Sequence, residues 1–413
     1  MELGYPRNLQ ELRQHLMDPL YKNSFFIMLT SASSAGFGFF FWMLAARLYP
    51  SSDVGIATAL ISSMGMLILL SKLGFDQSII RFFPHRDKSS VLGTAVTVTT
   101  LFSLLLGIGF IATVEIWSPE LTIVREIALL YILFLIANSV TAFIGASFVA
   151  LRRAELYFFQ SLLFGSRLLL LVPLVALGAI GIFSALGLSF VIALAVSVFL
   201  LFRSGVGLTW IDRGFLKASV NYSAGNYVAG LFATAPGLIL PVLVLNILGA
   251  EQTAYYYIAY ALVTILFLIP TAFTTSLFVE GCNGEQLKKS VMKSLLGIYA
   301  LLLPAVVVLF VFGETLLGLI GQDYVEGLHL LRIFAVSSFF FSLAEVYISI
   351  KKVQDGIRSL ILVSCVIFVL LLAFSYLFMG VFGLAGVGYA WVLTYALVGA
   401  GVISAMMRRY FWN

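Results

Sequence analysis

Long apolar runs alternate with short polar connections along the whole of this 413-residue chain. The first four runs span residues 23–46, 54–70, 95–113 and 127–151, and none of them contains a charged residue. A helix needs about 20 apolar residues to cross the hydrocarbon core of a bilayer. The pattern therefore predicts twelve transmembrane helices, spans 1 to 12. Their centres lie near residues 35, 63, 103, 138, 167, 191, 235, 265, 302, 340, 368 and 394.

Composition indicates the same fold class, an all-α polytopic membrane protein. Hydrophobic residues make up 61% of the chain and charged residues only 10%, with a mean hydropathy of +1.07. The longest polar stretch is residues 1–22, so little of the chain is left for a soluble catalytic domain. Three scattered histidines and two cysteines, Cys282 and Cys365, show no metal-ligand spacing. We expect no metal and no cofactor, and a protein that is not an enzyme.

The distribution of charge predicts the orientation in the membrane. Lysine and arginine cluster before span 1 and after the even-numbered spans, whereas acids such as Glu115 and Glu314 fall on the opposite side. Positive connections are retained in the cytoplasm, so we expect a multi-pass protein of the cell membrane with both termini cytoplasmic. The net charge of +5 is mostly this signal, and no nucleic-acid partner is expected. Leucines recur at helical spacing within residues 1–22, which predicts an interfacial segment on anionic lipid.

The two halves of the chain are weakly similar to each other at an offset of about 200 residues. Residues 88–91 (KSSV) align with residues 288–291 (KKSV) and, after a two-residue shift, residues 178–181 align with residues 380–383. Each half holds six spans, so both copies enter the membrane from the same side. Such repeats are related by an axis along the membrane normal, with substrate held between them. We therefore predict two pseudo-symmetric six-helix bundles that work by alternating access.

The domain prediction follows from this repeat. Residues 1–22 form an N-terminal cytoplasmic or interfacial segment, and residues 23–204 form the first lobe with spans 1 to 6. Residues 205–218, a polar stretch that contains three glycines, are predicted to link the lobes. Residues 219–413 form the second lobe with spans 7 to 12.

Three stretches resemble a known family. Ala45–Ser62 (AARLYPSSDVGIATALIS) and Leu73–Pro84 (LGFDQSIIRFFP) are similar to the opening of polysaccharide flippases, and Leu248–Leu262 (LGAEQTAYYYIAYAL) is similar to their second-lobe counterpart. These flippases share the multidrug, oligosaccharidyl-lipid and polysaccharide exporter superfamily with multidrug and toxin extruders (MATE) and the lipid II flippase. The resemblance implies a V-shaped, MATE-like fold and translocation of a lipid-linked oligosaccharide across the cytoplasmic membrane. The expected partners are that glycolipid, membrane lipids and H+ or Na+ as coupling ion, for a monomeric protein.

Charged residues inside spans are the sharpest functional signal, because a charge at the bilayer centre costs about 2.5–3.5 kcal/mol on insertion scales. Arg167 falls in the middle of span 5, where its guanidinium binds a pyrophosphate or pairs with a structural counter-group. Glu345 falls in the middle of span 10. It is a candidate for proton or cation coupling, or it forms a salt bridge to Arg332 or Arg167.

Other charges mark candidate gates. Lys72 and Asp76 are four residues apart at the end of span 2, with Arg81 just beyond. They form a cytoplasmic gate or only a local helix brace. Arg47 and Asp53 lie at the opposite ends of spans 1 and 2, where they form an outer gate or serve as interfacial anchors.

Polar uncharged residues inside spans need hydrogen-bond partners in lipid. Asn23, Asn138, Gln160 and Asn226 are therefore candidates to line a cavity. Together with Arg167 they are the predicted substrate-binding residues, and no catalytic residue is predicted.

The leading hypothesis is a transporter that flips a polyprenyl-phosphate- or pyrophosphate-linked oligosaccharide for cell-surface polysaccharide or glycan assembly. A cation-coupled drug extruder is the alternative, and it gives more weight to carboxylates such as Glu345. A membrane-embedded glycan polymerase or glycosyltransferase is less favoured, because the sequence has no large loop and no nucleotide-binding glycine motif. A scaffold without transport leaves Arg167 unexplained.

Overall fold

The computed structural model describes residues 19–282 and 286–410. Over these ranges the chain forms α-helices and short 3₁₀ segments, and the described residues contain no strand. Twelve helices among them are long and apolar enough to cross a membrane, judged by length and composition. The predicted all-α, twelve-span fold class is therefore confirmed. Residues 1–18 of the predicted interfacial segment lie outside the described residues.

Spans 1 to 6 are built from eight helices, because a short helix follows span 2 and span 5 is broken into two. The break falls at Gly165, whose amide donates a hydrogen bond to the Leu162 carbonyl in a tight turn. Two 3₁₀ segments, Pro119–Arg125 and Val175–Leu177, precede the helices of spans 4 and 6. The helices are α1 (Pro19–Leu48), α2 (Ser51–Ser71), α3 (Phe75–Phe82), α4 (Lys88–Trp117), α5 (Ala128–Ala150), α6 (Ala154–Phe164), α7 (Ser166–Leu171) and α8 (Gly178–Arg203).

Spans 7 to 12 are six helices, one for each span. Prolines occur inside three of them, at Pro236 and Pro241, at Pro270 and at Pro304, and each proline removes one backbone donor. The 3₁₀ segment Gln322–Gly327 precedes the helix of span 10. The helices are α9 (Arg213–Leu248), α10 (Ala250–Cys282), α11 (Leu287–Ile320), α12 (Leu328–Val353), α13 (Ile357–Phe382) and α14 (Ala385–Tyr410).

The described chain divides into two compact units. The first contains the residues up to Leu44, Leu67–Thr113 and Val124–Ala224. The second contains Ala45–Met66, Val114–Ile123 and the residues from Gly225 onward. The predicted linker thus falls inside the first unit, and the separation of two lobes at residues 205–218 stays a prediction.

The apolar core of the first unit gathers around α3. Phe75 and Ile79 are buried on one face of this short helix. The Phe75 ring centroid lies 6.4 Å from that of Phe143 on α5 and 6.0 Å from that of Phe215 at the start of α9. Apolar residues at helical spacing define one buried face, so Asp76 is left on the more polar side of α3. This packing fixes the position of the Asp76 carboxylate.

The connection from α8 to α9, residues 204–212, is fastened to the start of α4, and we call it the strap. Ser89 Oγ accepts a hydrogen bond from the Gly207 amide at 2.9 Å. Thr94 Oγ1 accepts a second one from the Asp212 amide at 2.8 Å. Part of the stretch that the sequence predicts as the link between the lobes is therefore bound to span 3 by its own backbone.

Asp212 ends the strap as the N-cap of α9. Its Oδ1 accepts hydrogen bonds from the amides of Gly214 (2.7 Å) and Phe215 (3.1 Å), which is the usual role of aspartate at this position. Its Oδ2 lies 3.3 Å from Arg86 Nη1. The Phe215 and Gly214 amides and the Arg86 guanidinium hold the pKa of Asp212 below its ordinary value, although partial burial acts the other way.

The internal repeat is visible in local backbone geometry. Gly178 at the start of α8 and Gly383 just before α14 have nearly the same φ/ψ angles, 55°/−135° and 57°/−139°. This conformation mirrors the extended one, and glycine adopts it at low cost. Arg152 and Asp355, which precede spans 5 and 11, both have positive φ, 57° and 50°. The sequence alignment places Gly181 opposite Gly383, whereas the residue that shares the Gly383 conformation is Gly178.

Candidate functional site

A cavity of about 420 Å³ lies within the first unit. Its walls come from α1, the turn after α2, α3, α5, α6 and α8. The volume is within the range of about 300–1,000 Å³ that is typical of small-molecule sites. Its polar lining residues are Lys72, Asp76, Gln77, Asn138, Tyr157 and Gln160. Four predicted site residues, Lys72, Asp76, Asn138 and Gln160, are thus brought together.

A sharp turn after α2 separates Lys72 from Asp76. α2 ends one residue before Lys72, and Leu73 (φ 50°) and Gly74 (φ 75°) take left-handed conformations before α3 begins. Residues on opposite sides of such a break do not lie one turn apart on one helix, so the helix-brace interpretation is wrong. Both side chains line the cavity, and among the described residues they form no ion pair within 4.0 Å.

Lys72 and Asp76 are the charged residues among those that line the cavity. Burial lowers the pKa of Lys72 below its ordinary value, and the Asp76 carboxylate opposes this shift. Asp76 Oδ1 accepts a hydrogen bond from the Gln77 amide at 2.9 Å. The cavity therefore offers an ammonium donor and a carboxylate acceptor at one end.

Gln160 ties three walls of the cavity together. It is 1% exposed, and its Nε2 donates to the Thr141 carbonyl on α5 (3.1 Å) and to Ser197 Oγ on α8 (3.0 Å). Gly145 on α5 provides the space, because a Cβ there would lie 2.7 Å from Gln160 Oε1 and 2.8 Å from the Tyr157 ring. Both Nε2 protons are used in these bonds, so Gln160 positions α5, α6 and α8 around the cavity.

The rest of the cavity wall is mainly apolar. Phe164 at the end of α6 and Phe190 of α8 meet edge to face, with 5.1 Å between ring centroids. Ile27 of α1 and Ile80 of α3 also line the cavity, and Asn138 adds a half-buried amide from α5. A charged end and an apolar wall with few polar groups are what an amphiphilic ligand requires.

Arg167 is not among the residues that line this cavity. It is the second residue of α7, directly after the break in span 5. Its Cζ lies 5.3 Å from the Phe41 ring centroid on α1, and a Cβ on Gly38 would lie 3.8 Å from its Nη2. The guanidinium is thus half-buried against α1, and its role in binding phosphate stays a prediction.

Arg47, a predicted gating residue, and Arg332, a predicted partner of Glu345, bind main-chain carbonyls in the second unit. Arg47 Nε donates to the Leu319 carbonyl at 3.1 Å, in the last turn of α11, where carbonyls lack helical partners. Arg332 Nη2 donates to the Phe310 carbonyl at 3.2 Å. Glu345 lies thirteen residues beyond Arg332 on α12, about 20 Å at 1.5 Å per residue. The predicted salt bridge between Glu345 and Arg332 is therefore wrong, because this separation along the helix is too large for the two side chains to meet.

The remaining predicted residues lie at helix ends or on the surface. Asn23 Oδ1 accepts a hydrogen bond from the Ala154 amide at 3.1 Å, at the first residue of α6. Asp53 lies in the first turn of α2, where a negative charge is favoured. Arg81 on α3 and Asn226 on α9 are exposed. None of these four lines the cavity of the first unit.

Sequence reasoning missed two of the polar lining residues, Gln77 and Tyr157. Gln77 follows Asp76 directly in the family-like stretch LGFDQS. Tyr157 lies three residues before Gln160 on α6, and side chains at this spacing are neighbours on a helix surface. The three-residue spacing from Gln160 could therefore have identified Tyr157 as a lining residue.

The fold defines the class of protein, a multi-pass helical membrane protein. The structure is similar to the lipid II flippase MurJ in an inward closed conformation, with a TM-score of 0.75 and 11% identity over 92% of this chain and 87% of that one. It is also similar to an inward-facing multidrug resistance MATE family transporter of the MOP superfamily, with a TM-score of 0.70 and 16% identity over 91% and 94%. A MOP superfamily transporter from Pyrococcus furiosus gives a TM-score of 0.62 at 15% identity over 94% and 95%.

The amino-acid sequence also has a curated relative. Over 174 residues the chain is 26% identical to a Shigella flexneri protein named "Putative O-antigen transporter", a match that covers 39% of this chain and 42% of that relative. The match thus spans less than half the length of the curated relative. No family model matches the chain. The resemblance to the exporter superfamily, predicted from three motifs, is confirmed by this relative and by the shared fold.

Proposed function

We propose that this protein flips a polyprenyl-phosphate- or pyrophosphate-linked oligosaccharide across the cell membrane by alternating access, for assembly of a cell-surface polysaccharide or glycan. The observation that carries the proposal is the fold, shared over 92% of the chain with a lipid II flippase. The relative named as an O-antigen transporter supports a glycan cargo. Transport itself requires no bond to be made or broken, so the protein is proposed to act without catalysis.

A shared fold alone does not imply a shared function. The chemistry of the cavity supports the proposal independently of the fold. The Lys72 ammonium suits a phosphate, and the amide of Asn138 offers both a donor and an acceptor to sugar hydroxyls. Ile27 and Phe190 give the same cavity an apolar wall. A glycolipid head joined to a hydrocarbon carrier combines these three kinds of surface.

Orientation and energetics belong to the same proposal. Both termini are proposed to lie in the cytoplasm, because basic residues cluster before span 1 and after the even-numbered spans. The protein is proposed to work as a monomer that uses an H+ or Na+ gradient. Arg167, half-buried in the middle of span 5, is proposed to bind the phosphate or pyrophosphate of the cargo during transport.

A cation-coupled drug extruder is the second candidate. The MATE family transporter that shares the fold favours it, and so does Glu345, a half-buried carboxylate in span 10. A carboxylate inside a span is a natural site for a proton or a cation. In this alternative Glu345, and not Arg167, is the residue on which transport depends.

Reconstitution distinguishes the two candidates. The purified protein is placed in liposomes that contain a fluorescent polyprenyl-pyrophosphate-linked oligosaccharide, and flipping is followed by access of a membrane-impermeant quencher. We expect flipping by the wild type and at least a tenfold lower rate for Arg167→Ala. Arg203→Ala is the control, because Arg203 is exposed at the end of α8. Unaltered flipping by Arg167→Ala would remove Arg167 from the mechanism.

The same liposomes test the extruder. A cationic dye is loaded and an H+ or Na+ gradient is imposed across the membrane. Gradient-driven dye export that is lost in Glu345→Gln, together with an absence of glycolipid flipping, would replace the first candidate by the second. Glycolipid flipping without dye export supports the first.

A further inference from the structure

The cavity of the first unit contains a single basic residue. Of the described residues that line it, Lys72 is the one lysine or arginine, and Asp76 and Tyr157 are the other titratable groups. Lys72 comes from the turn after α2, Asp76 from α3 and Tyr157 from α6. An anionic group that enters this cavity therefore meets one cation in a defined place.

We propose that this cavity binds the sugar phosphate at the head of the lipid-linked cargo, with the Lys72 ammonium on the phosphate and Asp76 and Asn138 on sugar hydroxyls. This inference rests on the proposed function and deepens it, because it states which part of the cargo each wall contacts. It places Lys72 on the phosphate inside the cavity, whereas Arg167, which does not line the cavity, is proposed to contact the phosphate at another point of the transport path.

The chemistry of the wall fits a phosphate and a sugar together. An ammonium makes charge-assisted hydrogen bonds to phosphate oxygens, and burial strengthens the attraction because water screens it less. A carboxylate beside an anion site accepts hydrogen bonds from hydroxyl groups, of which a sugar carries more than inorganic phosphate does at neutral pH. The Asp76 carboxylate does not pair with Lys72 within 4.0 Å among the described residues, so each group is available to a different part of one ligand.

The size of the cavity limits what it holds. A volume of about 420 Å³ is near the lower end of ligand sites and accommodates a phosphate with about one or two sugar rings. The Phe164 and Phe190 rings, 5.1 Å apart, provide an apolar surface for the carbon face of a sugar. The site is therefore selective for the phosphate-linked end of the cargo, and the distal sugars remain outside it.

Binding of small probes to the detergent-solubilised full chain tests the assignment. The probes are glucose 1-phosphate, inorganic phosphate and methyl glucoside, measured by ligand-observed NMR or calorimetry. We expect glucose 1-phosphate to bind more tightly than either other probe, and Lys72→Gln to weaken it at least tenfold. Lys88→Gln is the matched control, because Lys88 is an exposed lysine at the start of α4. Its affinity should equal that of the wild type.

A pH profile provides a readout that misfolding does not imitate. Because burial lowers the pKa of Lys72, binding by the wild type should fall as the pH rises and the ammonium loses its proton. Lys72→Arg should keep its affinity to higher pH, since guanidinium stays charged. Asp76→Asn should leave phosphate binding intact and weaken the binding of glucose 1-phosphate.

Two results would overturn the proposal. One is equal affinity of Lys72→Gln and wild type for glucose 1-phosphate, and the other is equal affinity of the wild type for glucose 1-phosphate and inorganic phosphate. The flipping assay separates this failure from that of the proposed function. Flipping by the wild type without Lys72-dependent binding refutes the cavity assignment alone, whereas Lys72-dependent binding without flipping refutes the transport proposal alone.

Discussion

Replacement of Gly93 by alanine tests whether the strap is fixed to α4. Gly93 is buried, and an ideal Cβ at this position would lie 2.2 Å from the Thr209 carbonyl oxygen and 2.7 Å from the Thr209 nitrogen. Ordinary contact begins at 3.4 Å, so the Thr209 backbone must retreat by about 1.2 Å. Main-chain atoms have no flexible end that can absorb such a clash.

The expected energy follows from the hydrogen bonds near Thr209. A retreat of this size strains the bonds from Gly207 N to Ser89 Oγ (2.9 Å), from Thr209 N to Ser89 O (3.4 Å) and from Asp212 N to Thr94 Oγ1 (2.8 Å). Each such bond contributes about 0.5–1.5 kcal/mol. Alanine is about 1 kcal/mol more favourable than glycine inside a helix, and this difference offsets part of the lost hydrogen-bond energy. If all three bonds are lost, we therefore expect Gly93→Ala to destabilise the protein by about 0.5–3.5 kcal/mol net.

Two measurements check this expectation. Thermal unfolding in detergent reports the change in stability, and limited trypsin digestion at the exposed Arg203 and Arg213 reports release of the strap. Gly109→Ala is the control on the same helix, because nothing lies within 4 Å of an added Cβ there. It should stabilise the protein slightly. If Gly93→Ala matched Gly109→Ala in both assays, the strap would not be held as described.

Charge and topology give two more expectations. The pKa of Asp212 is lowered in the folded protein, chiefly by the Phe215 amide. The ionised carboxylate therefore stabilises the fold fully above the ordinary aspartate pKa of 3.8. This stabilisation is lost as the pH falls through the lower pKa of the folded state. The stability difference between wild type and Asp212→Asn, which keeps the cap, should be constant near neutral pH and shrink in acid; a difference independent of pH would refute the reasoning. Cys282 is exposed at the end of α10 and should react with an impermeant maleimide only from the cytoplasmic side in oriented vesicles of a Cys365→Ala variant. Labelling from outside would reverse the proposed topology.

The spans were predictable because hydropathy and length alone decide whether a helix can cross a bilayer. The breaks were not. Gly165 interrupts span 5 inside an otherwise helix-compatible stretch, and Leu73 and Gly74 separate α2 from α3 although Lys72 and Asp76 have the spacing of neighbours on one helix. A positive φ at Leu73 depends on packing of the following helix, and packing of Phe75 against Phe143 and Phe215 is a tertiary property that periodicity does not contain.

The hydrogen bonds of the strap were also not predictable from the sequence. Glycines and polar residues in 205–218 indicated a link between the lobes, and composition gave no sign that Ser89 and Thr94 would bind its backbone. Hydrogen bonds between residues 118 positions apart cannot be read from local pattern. The N-cap at Asp212 could have been found, because an aspartate directly before a helix is a recognised start signal.

A charged residue in or near a span does not by itself indicate a binding site. Arg47, Arg125 and Arg332 all bind main-chain carbonyls, those of Leu319, of Ile111 and Ala112, and of Phe310. A guanidinium has five donors, so a carbonyl on a neighbouring helix satisfies it without any ligand. An ammonium at a helix break has fewer ways to be satisfied by the protein, and Lys72 reaches a cavity. Access to a cavity is therefore the feature of Lys72 that only the folded chain defines, and its position in the sequence did not predict it.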